Sequence, residues 1–161
     1  MQPNEELKRT AQPERLVLAL TLVSGATGAI RSHGDVATLE VARAANALVR
    51  AAVDGAHGRV IKSLGEGLLM AFPANSAREA VAALQAVREK AGAVWRAFDP
   101  GCDMHVKVTV GSVLVGDLGL LSEPTPDVWG LAVHDLFKDR GTGLVLLPDL
   151  QALLEVPPNA V

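Results

Sequence analysis

Tyrosine is absent from this chain, and only two tryptophans and three phenylalanines occur among its 161 residues. With so few rings it offers no stacking platform for a single-stranded nucleic acid. One cysteine, Cys102, excludes an internal disulfide and fits a reducing compartment. Cation clusters are missing too. The 15 basic residues stand against 18 acidic ones, a net charge of −3, which argues against a nucleic-acid or anionic-membrane partner. Leu16 to Val23 is the longest strongly apolar run, far too short to cross a bilayer. The N-terminal MQPNEELKRTAQPER is polar and interrupted by proline, unlike a secretory leader. These absences predict a cytoplasmic protein with neither nucleic acid nor membrane among its partners.

What the chain has is aliphatic. Hydrophobic residues make up 49% and charged residues 20%, with alanine and valine filling a core that this length can bury as one domain. Residues 1–14 read as a polar tail, 15–156 as the domain and 157–161 as a second tail. Leu16–Val23 has the continuous apolar pattern of a strand covered on both faces, followed by a small-residue loop over 24–29. Asp35–Asp54 has a helical period, with Asp35 as N-cap and Gly55 as the C′ residue. Ser76–Glu79 forms a capping box for a second long helix ending near Asp99. Val106–Val110 and Val113–Leu118 read as two strands meeting at Gly111-Ser112, with a loop over 120–126 beyond them. Leu131–Lys138 is a short helix, Leu144–Leu147 a last strand, and Pro148–Glu155 a closing helix. The order β-α-ββ-α-ββ-α-β-α predicts an α+β fold, a ferredoxin-like, antiparallel-rich sheet with helices packed on one face.

Between the two long helices lies GRVIKSLGEGLLMAF, Gly58–Phe72, a hairpin turning at Gly65-Glu66-Gly67. Strict alternation puts Lys62 on the face of Val60 and Leu64, an ammonium among aliphatics, and leaves Glu66 at the tip. Snorkelling to the sheet edge accounts for such a lysine. A nearby anion also accounts for it, because an unpaired, desolvated ammonium is costly.

Three stretches, in order and at suitable intervals, resemble signature segments of the class III nucleotide cyclase catalytic domain, the adenylate/guanylate cyclase homology domain. His57–Glu66, HGRVIKSLGE, is similar to the family's HGGRVVKTIGD. Val110–Gly119, VGSVLVGDLG, resembles TGEVVAGNVG, and Asp127–His134, DVWGLAVH, resembles DVWGDAVN. The resemblance covers 15–156 and implies that family's fold and chemistry: cyclisation of ATP or GTP by the ribose 3′-hydroxyl, two metals held by two carboxylates, and a site shared between two chains.

Carried onto this chain, the resemblance places the purine readers at Lys62 and Asp127, the combination that suggests adenine and hence ATP. It places the second metal carboxylate at Glu66 and the first at Thr21, which bears no charge. The ribose-orienting Asn becomes His134. The Arg that stabilises phosphate charge becomes Lys138, which lacks the planar fork. Mg or Mn would serve an active enzyme; with Thr21 at a ligand position, no bound metal is expected. The residues alone also allow Thr21 as a β-former in a buried strand, Asp127 as a helix cap and His134 as a surface residue. His33, His57 and His105 show no metal-ligand spacing with one another or with Cys102. The expected protein is a degenerate, catalytically impaired cyclase-like domain, homodimeric, acting in dimerisation or nucleotide sensing, with Lys62 and Asp127 within reach of each other. The alternative is an active adenylate cyclase, as one half of a heterodimer with a cyclase-type partner.

Overall fold

The computed structural model describes residues 11–117 and 126–157. The start of the polar tail, the loop placed over 120–126 up to residue 125, the end of the strand read to Leu118, and residues 158–161 lie outside the described residues. Among the described residues six strands form one sheet: β1 (Ala11–Ser24), β2 (Arg59–Leu64), β3 (Gly67–Pro73), β4 (Asp103–Asp117), β5 (Pro126–Trp129) and β6 (Leu144–Leu146). Five helices accompany them: α1 (Ala26–His33), α2 (Asp35–Gly55), α3 (Ala77–Phe98), α4 (Leu131–Lys138) and α5 (Pro148–Glu155). The strand order is β2-β3-β1-β4-β5, with β6 also beside β4. Every pair is antiparallel except β4 with β6, so the α+β, antiparallel-rich class is observed.

Val17, Leu18, Ala19 and Leu20 are fully buried, as a continuous apolar run requires of a strand covered on both sides. Val17 and Ala19 pack with Ala45, Val49, Leu84 and Trp95 of α2 and α3. Leu16, Leu18 and Leu20 face the other way, onto Ala132 and Leu136 of α4. Helices therefore cover both faces of the sheet. The expected single helical face fails because α4 docks over β4 at Gly111, where a Cβ would lie 2.8 Å from that of Ala132. Gly111 admits the helix and makes no turn, so β4 is one 15-residue strand. It pairs with β1 from Ala11 opposite Gly116 to Ser24 opposite Asp103. β1 thus begins inside the stretch read as a tail. Its Pro13 is tolerated because 11–15 pair with β4 alone, leaving the other edge open.

Local signals were rearranged in four more places. The small residues of 24–29 open a helix, α1, whose Ala26 and Ala29 are buried. Gly34 is the N-cap of α2, and Asp35 is its first residue, where a carboxylate suits the positive end. Ser76 makes no capping bond, because a 3₁₀ turn over Ala74–Ser76 leads into α3. At the end of α2, Gly58 N–H donates to the Val53 carbonyl (2.9 Å) and His57 N–H to that of Asp54 (3.3 Å). This is a Schellman closure, and its left-handed C′ residue is His57 (φ 61), not Gly55.

A left-handed non-glycine residue costs roughly 1–2 kcal/mol. His57→Gly should therefore raise stability, by about 1 kcal/mol after the entropy of glycine in the unfolded chain is counted, read as a higher denaturant midpoint at unchanged m. Asp103 supplies a second test. Burial raises its carboxyl, but hydrogen bonds from Arg96 (2.8 Å) and the Met104 N–H (2.9 Å), with the charges of Arg96 and His105, outweigh it and hold the group below the ordinary aspartate value. A depressed carboxyl stabilises above its unfolded value and loses that contribution as pH falls through the folded one. Asp103→Asn should narrow the loss of melting temperature between about pH 4 and pH 2; identical profiles would show that the carboxylate contributes nothing.

Candidate nucleotide site

β2 and β5 stand at opposite ends of the strand order, yet Lys62 Nζ donates to Asp127 Oδ2 at 3.1 Å. The sheet folds back far enough for its two ends to meet. Local backbone makes this reach available. Val60 pairs with Met70, but Lys62 pairs with Leu69, and the register slips between them. The bulge at Ile61 inverts the alternation. Lys62 shares the face of Leu69 and Leu20, opposite to that of Val60, so the face expected from strict alternation is corrected. Without the slip its ammonium would point toward the α2–α3 layer, away from Asp127.

The ammonium side chain is 39% exposed and the carboxylate side chain 16%. Asp127 Oδ1 accepts the N–H of Val128 (2.8 Å), which fixes the carboxylate at the start of β5. A fixed acceptor beside an accessible donor complements the adenine edge, which offers an amino donor next to a ring-nitrogen acceptor.

Thr21 is fully buried, and its Oγ1 accepts the N–H of Leu68 at 2.9 Å. The hydroxyl thus continues, through a side chain, the β1–β3 ladder whose last backbone pair is Leu20 with Leu69. Gly67, next to Glu66, lies so close to the Thr21 carbonyl that a Cβ there would collide with it. The structure therefore brings Thr21 and the Glu66 turn together, with Glu66 half-buried at a two-residue turn in which Gly65 takes φ 74. For a divalent pair the donor set does not fit. Of the two positions one carries a carboxylate and the other a neutral hydroxyl already committed to a backbone N–H, and no cluster of three acidic, His or Cys side chains occurs among the described residues.

His134 and Lys138 lie one turn apart on α4, both exposed. His134 meets the indole of Trp129 edge-on, 5.6 Å between centroids, and Lys138 ends the helix. Neither touches Lys62 or Asp127. Sequence reasoning missed Lys107, only 4% exposed beneath α4, with Nζ 3.8 Å from Asp139 Oδ1. In MHVKVTV it sits at an alternate position, which reads as a solvated strand face until α4 is seen to cover it.

Two other constellations carry no chemistry. His105 Nε2 lies 2.9 Å from Ser24 Oγ, but His105 Nδ1 accepts the Gly143 N–H (2.9 Å). The neutral ring then carries its proton on Nε2 and cannot act as a base toward Ser24. Burial, and secondly Asp99, push the Cys102 thiol above its usual range, leaving an unreactive thiol.

No family model and no curated protein matches this sequence. Among solved structures, the chain is similar to the guanylyl cyclase Cya2, with TM-score 0.80 and 15% identity over 94% of this chain and 89% of that one. It is similar to a bacterial light-regulated adenylyl cyclase at TM-score 0.77 and 12% identity, over 94% of this chain and 48% of that one. A class III adenylyl cyclase-like ATP-binding protein from Pseudomonas aeruginosa matches at TM-score 0.73 and 14% identity, over 89% of this chain and 35% of that one. This chain thus spans about half of the light-regulated enzyme. The fold is that of the class III adenylyl/guanylyl cyclase catalytic domains among these structures.

Thr21→Val keeps the shape but orphans the buried Leu68 N–H, and should cost about 1–3 kcal/mol. Thr21→Ser, which keeps the acceptor, should lose less than half as much in the same denaturant titration. A larger loss in Thr21→Ser than in Thr21→Val would mean that the methyl, not the hydroxyl, secures the hairpin.

Proposed function

We propose that this cyclase-like domain is catalytically impaired and acts as a dimerising, nucleotide-sensing module that holds an adenine nucleotide at Lys62 and Asp127. The observation that carries the reading is the Lys62–Asp127 pair itself, formed within one chain. Thr21 spends its hydroxyl on the hairpin. Lys62 donates to the base edge and Asp127 accepts from it. His134 and Lys138 line the same segment and offer a neutral or cationic surface without the planar fork of arginine. The existence of a cyclase-like protein described as ATP-binding supports a binding role for this fold. No helix among the described residues is long and apolar enough to cross a membrane, in keeping with a cytoplasmic site of action.

Calorimetry with ATP in the absence of divalent metal should show weak binding, with Kd on the order of 0.1 mM, weakened about 10-fold by Lys62→Ala. Equal affinity in the two proteins, or binding that strictly requires Mg²⁺, would defeat the reading. The same samples given ATP and Mn²⁺ should form no cyclic nucleotide above background, since each preorganised group lost costs ~10²–10³ in rate.

The intact Lys62–Asp127 pair favours a second reading, an adenylate cyclase half-site whose partner chain brings both carboxylates. Turnover by the isolated chain that Glu66→Ala abolishes would point to a working metal site instead of either.

Self-association is part of the proposal. Trp129 (55% exposed), Leu131 (72%) and Phe137 (50%) leave an apolar surface around α4, and a specific interface covering it should bury more than ~1,000 Å². Light scattering at micromolar concentration should return the dimer mass, and Leu131→Asp should return the monomer mass with an unchanged melting profile.

A further inference from the structure

β6 is three residues long and pairs with β4 alone, so its place in the sheet depends on how the chain is held just before it. Gly143 does the holding. Its carbonyl accepts the N–H of Val106 at 2.8 Å, and its own N–H donates to Nδ1 of His105 at 2.9 Å. The imidazole thus stands in for a backbone carbonyl at the start of the β4–β6 ladder. Gly143 takes φ 78 there, and the Arg88 guanidinium packs 3.5 Å from where a Cβ would be.

The far side of the His105 ring is equally committed. Nε2 lies 2.9 Å from Ser24 Oγ, and that hydroxyl donates onward to the Asp103 carbonyl at 3.4 Å. The chain of bonds has one assignment: Gly143 N–H to Nδ1, Nε2–H to Ser24, and Ser24 O–H to Asp103. Only the neutral ring satisfies it, because a protonated imidazole is a donor at both nitrogens and an acceptor at neither. Both nitrogens are thereby taken by uncharged partners.

The charges around the ring are of both signs. Asp103 lies close enough for the charge of His105 to help lower its carboxyl. From α3, Arg96 holds Asp103 Oδ1 at 2.8 Å, and Arg88 stands 3.9 Å from Oδ2. Lys107 pairs opposite Leu20 and His105 opposite Leu22, which puts the two side chains on one strand face. Asp139, in the connection between α4 and β6, lies 3.8 Å from Lys107.

We infer that His105 is a pH switch for residues 139–143, whose neutral ring holds this connection shut and whose protonation at Nδ1 releases it. The added proton turns the acceptor into a donor, so two N–H groups face each other across the former bond. Gly143 then leaves, and the loop that carries Asp139 leaves with it. Asp139 belongs to that loop by its own bond, since its Oδ1 accepts the Gly141 N–H at 2.7 Å. Its departure exposes Lys107, now only 4% accessible, and loosens the end of α4 at Lys138. The closed form excludes a proton from Nδ1. It therefore prevails above the titration of His105 and is lost as pH falls through it. The inference is independent of nucleotide binding at Lys62.

Amide hydrogen exchange of the full chain reads the switch, as protection corrected for intrinsic exchange, at about pH 7.5 and about pH 5. Protection at Gly143 should fall about 10-fold or more at the lower pH, as for the loss of one hydrogen bond. Leu18 and Leu20, at the centre of the sheet, should keep theirs. His105→Asn puts an amide oxygen near the Nδ1 position and cannot become charged, so Gly143 should stay protected throughout. The ring-nitrogen chemical shifts of His105 give a second reading in the unaltered protein. They should place the neutral ring's proton on Nε2, with a titration midpoint that coincides with that of Gly143 exposure. Equal protection of Gly143 at the two pH values, or a fall shared by Leu18 and Leu20, would overturn the inference. So would an equal fall in His105→Asn, a neutral ring protonated on Nδ1, or midpoints that differ.

Discussion

Val17 to Leu20 have no solvent on either side, and a strand enclosed in this way cannot slip by one residue without sending four side chains into the wrong layers. β3 and β4 take their register from it on its two edges, α2 and α3 rest on Val17 and Ala19, and α4 rests on Leu18 and Leu20. Thr21 is the next residue along and shares the enclosure. A hydroxyl there must find a partner, and the one within reach is the Leu68 N–H. The buried hydroxyl of Thr21 and the closure of the β2–β3 hairpin are therefore one physical fact.

The fold was legible where hydrophobic period is strong. The apolar run of β1, the long amphipathic stripes of α2 and α3, and the glycine-punctuated hairpin each declared their type. Contacts distant in sequence were less so. Gly111 looks like a turn in isolation, and only the arrival of Ala132 shows that it is a landing place. Ser76 and Glu79 have the spacing of a capping box, but Pro73 and the 3₁₀ turn after it set the entry angle before the cap can form.

The site was legible in composition and less so in geometry. Lys62 and Asp127 could be paired from the resemblance, and they do meet, but alternation put Lys62 on the wrong face because a one-residue bulge leaves no trace in a pattern of Val, Ile and Ser. Lys107 had no signal at all, since its burial depends on a helix that begins 24 residues later in the chain.

Lys62 and Lys107 lie in one row across four strands, Lys62 beside Leu69, Leu69 beside Leu20, Leu20 beside Lys107. Three interstrand steps separate them, about 14 Å. Their partners, Asp127 and Asp139, bracket the β5–α4 segment, whose eight-residue helix is about 12 Å long. The sheet thus acts as a ruler for the segment laid over it. Gaining or losing one turn of α4 would displace Asp139 by about 5 Å along the helix axis, far enough to strand the Lys107 ammonium without its counter-charge. Length variation in this protein should be borne by the loops on either side of that segment and not by the helix itself.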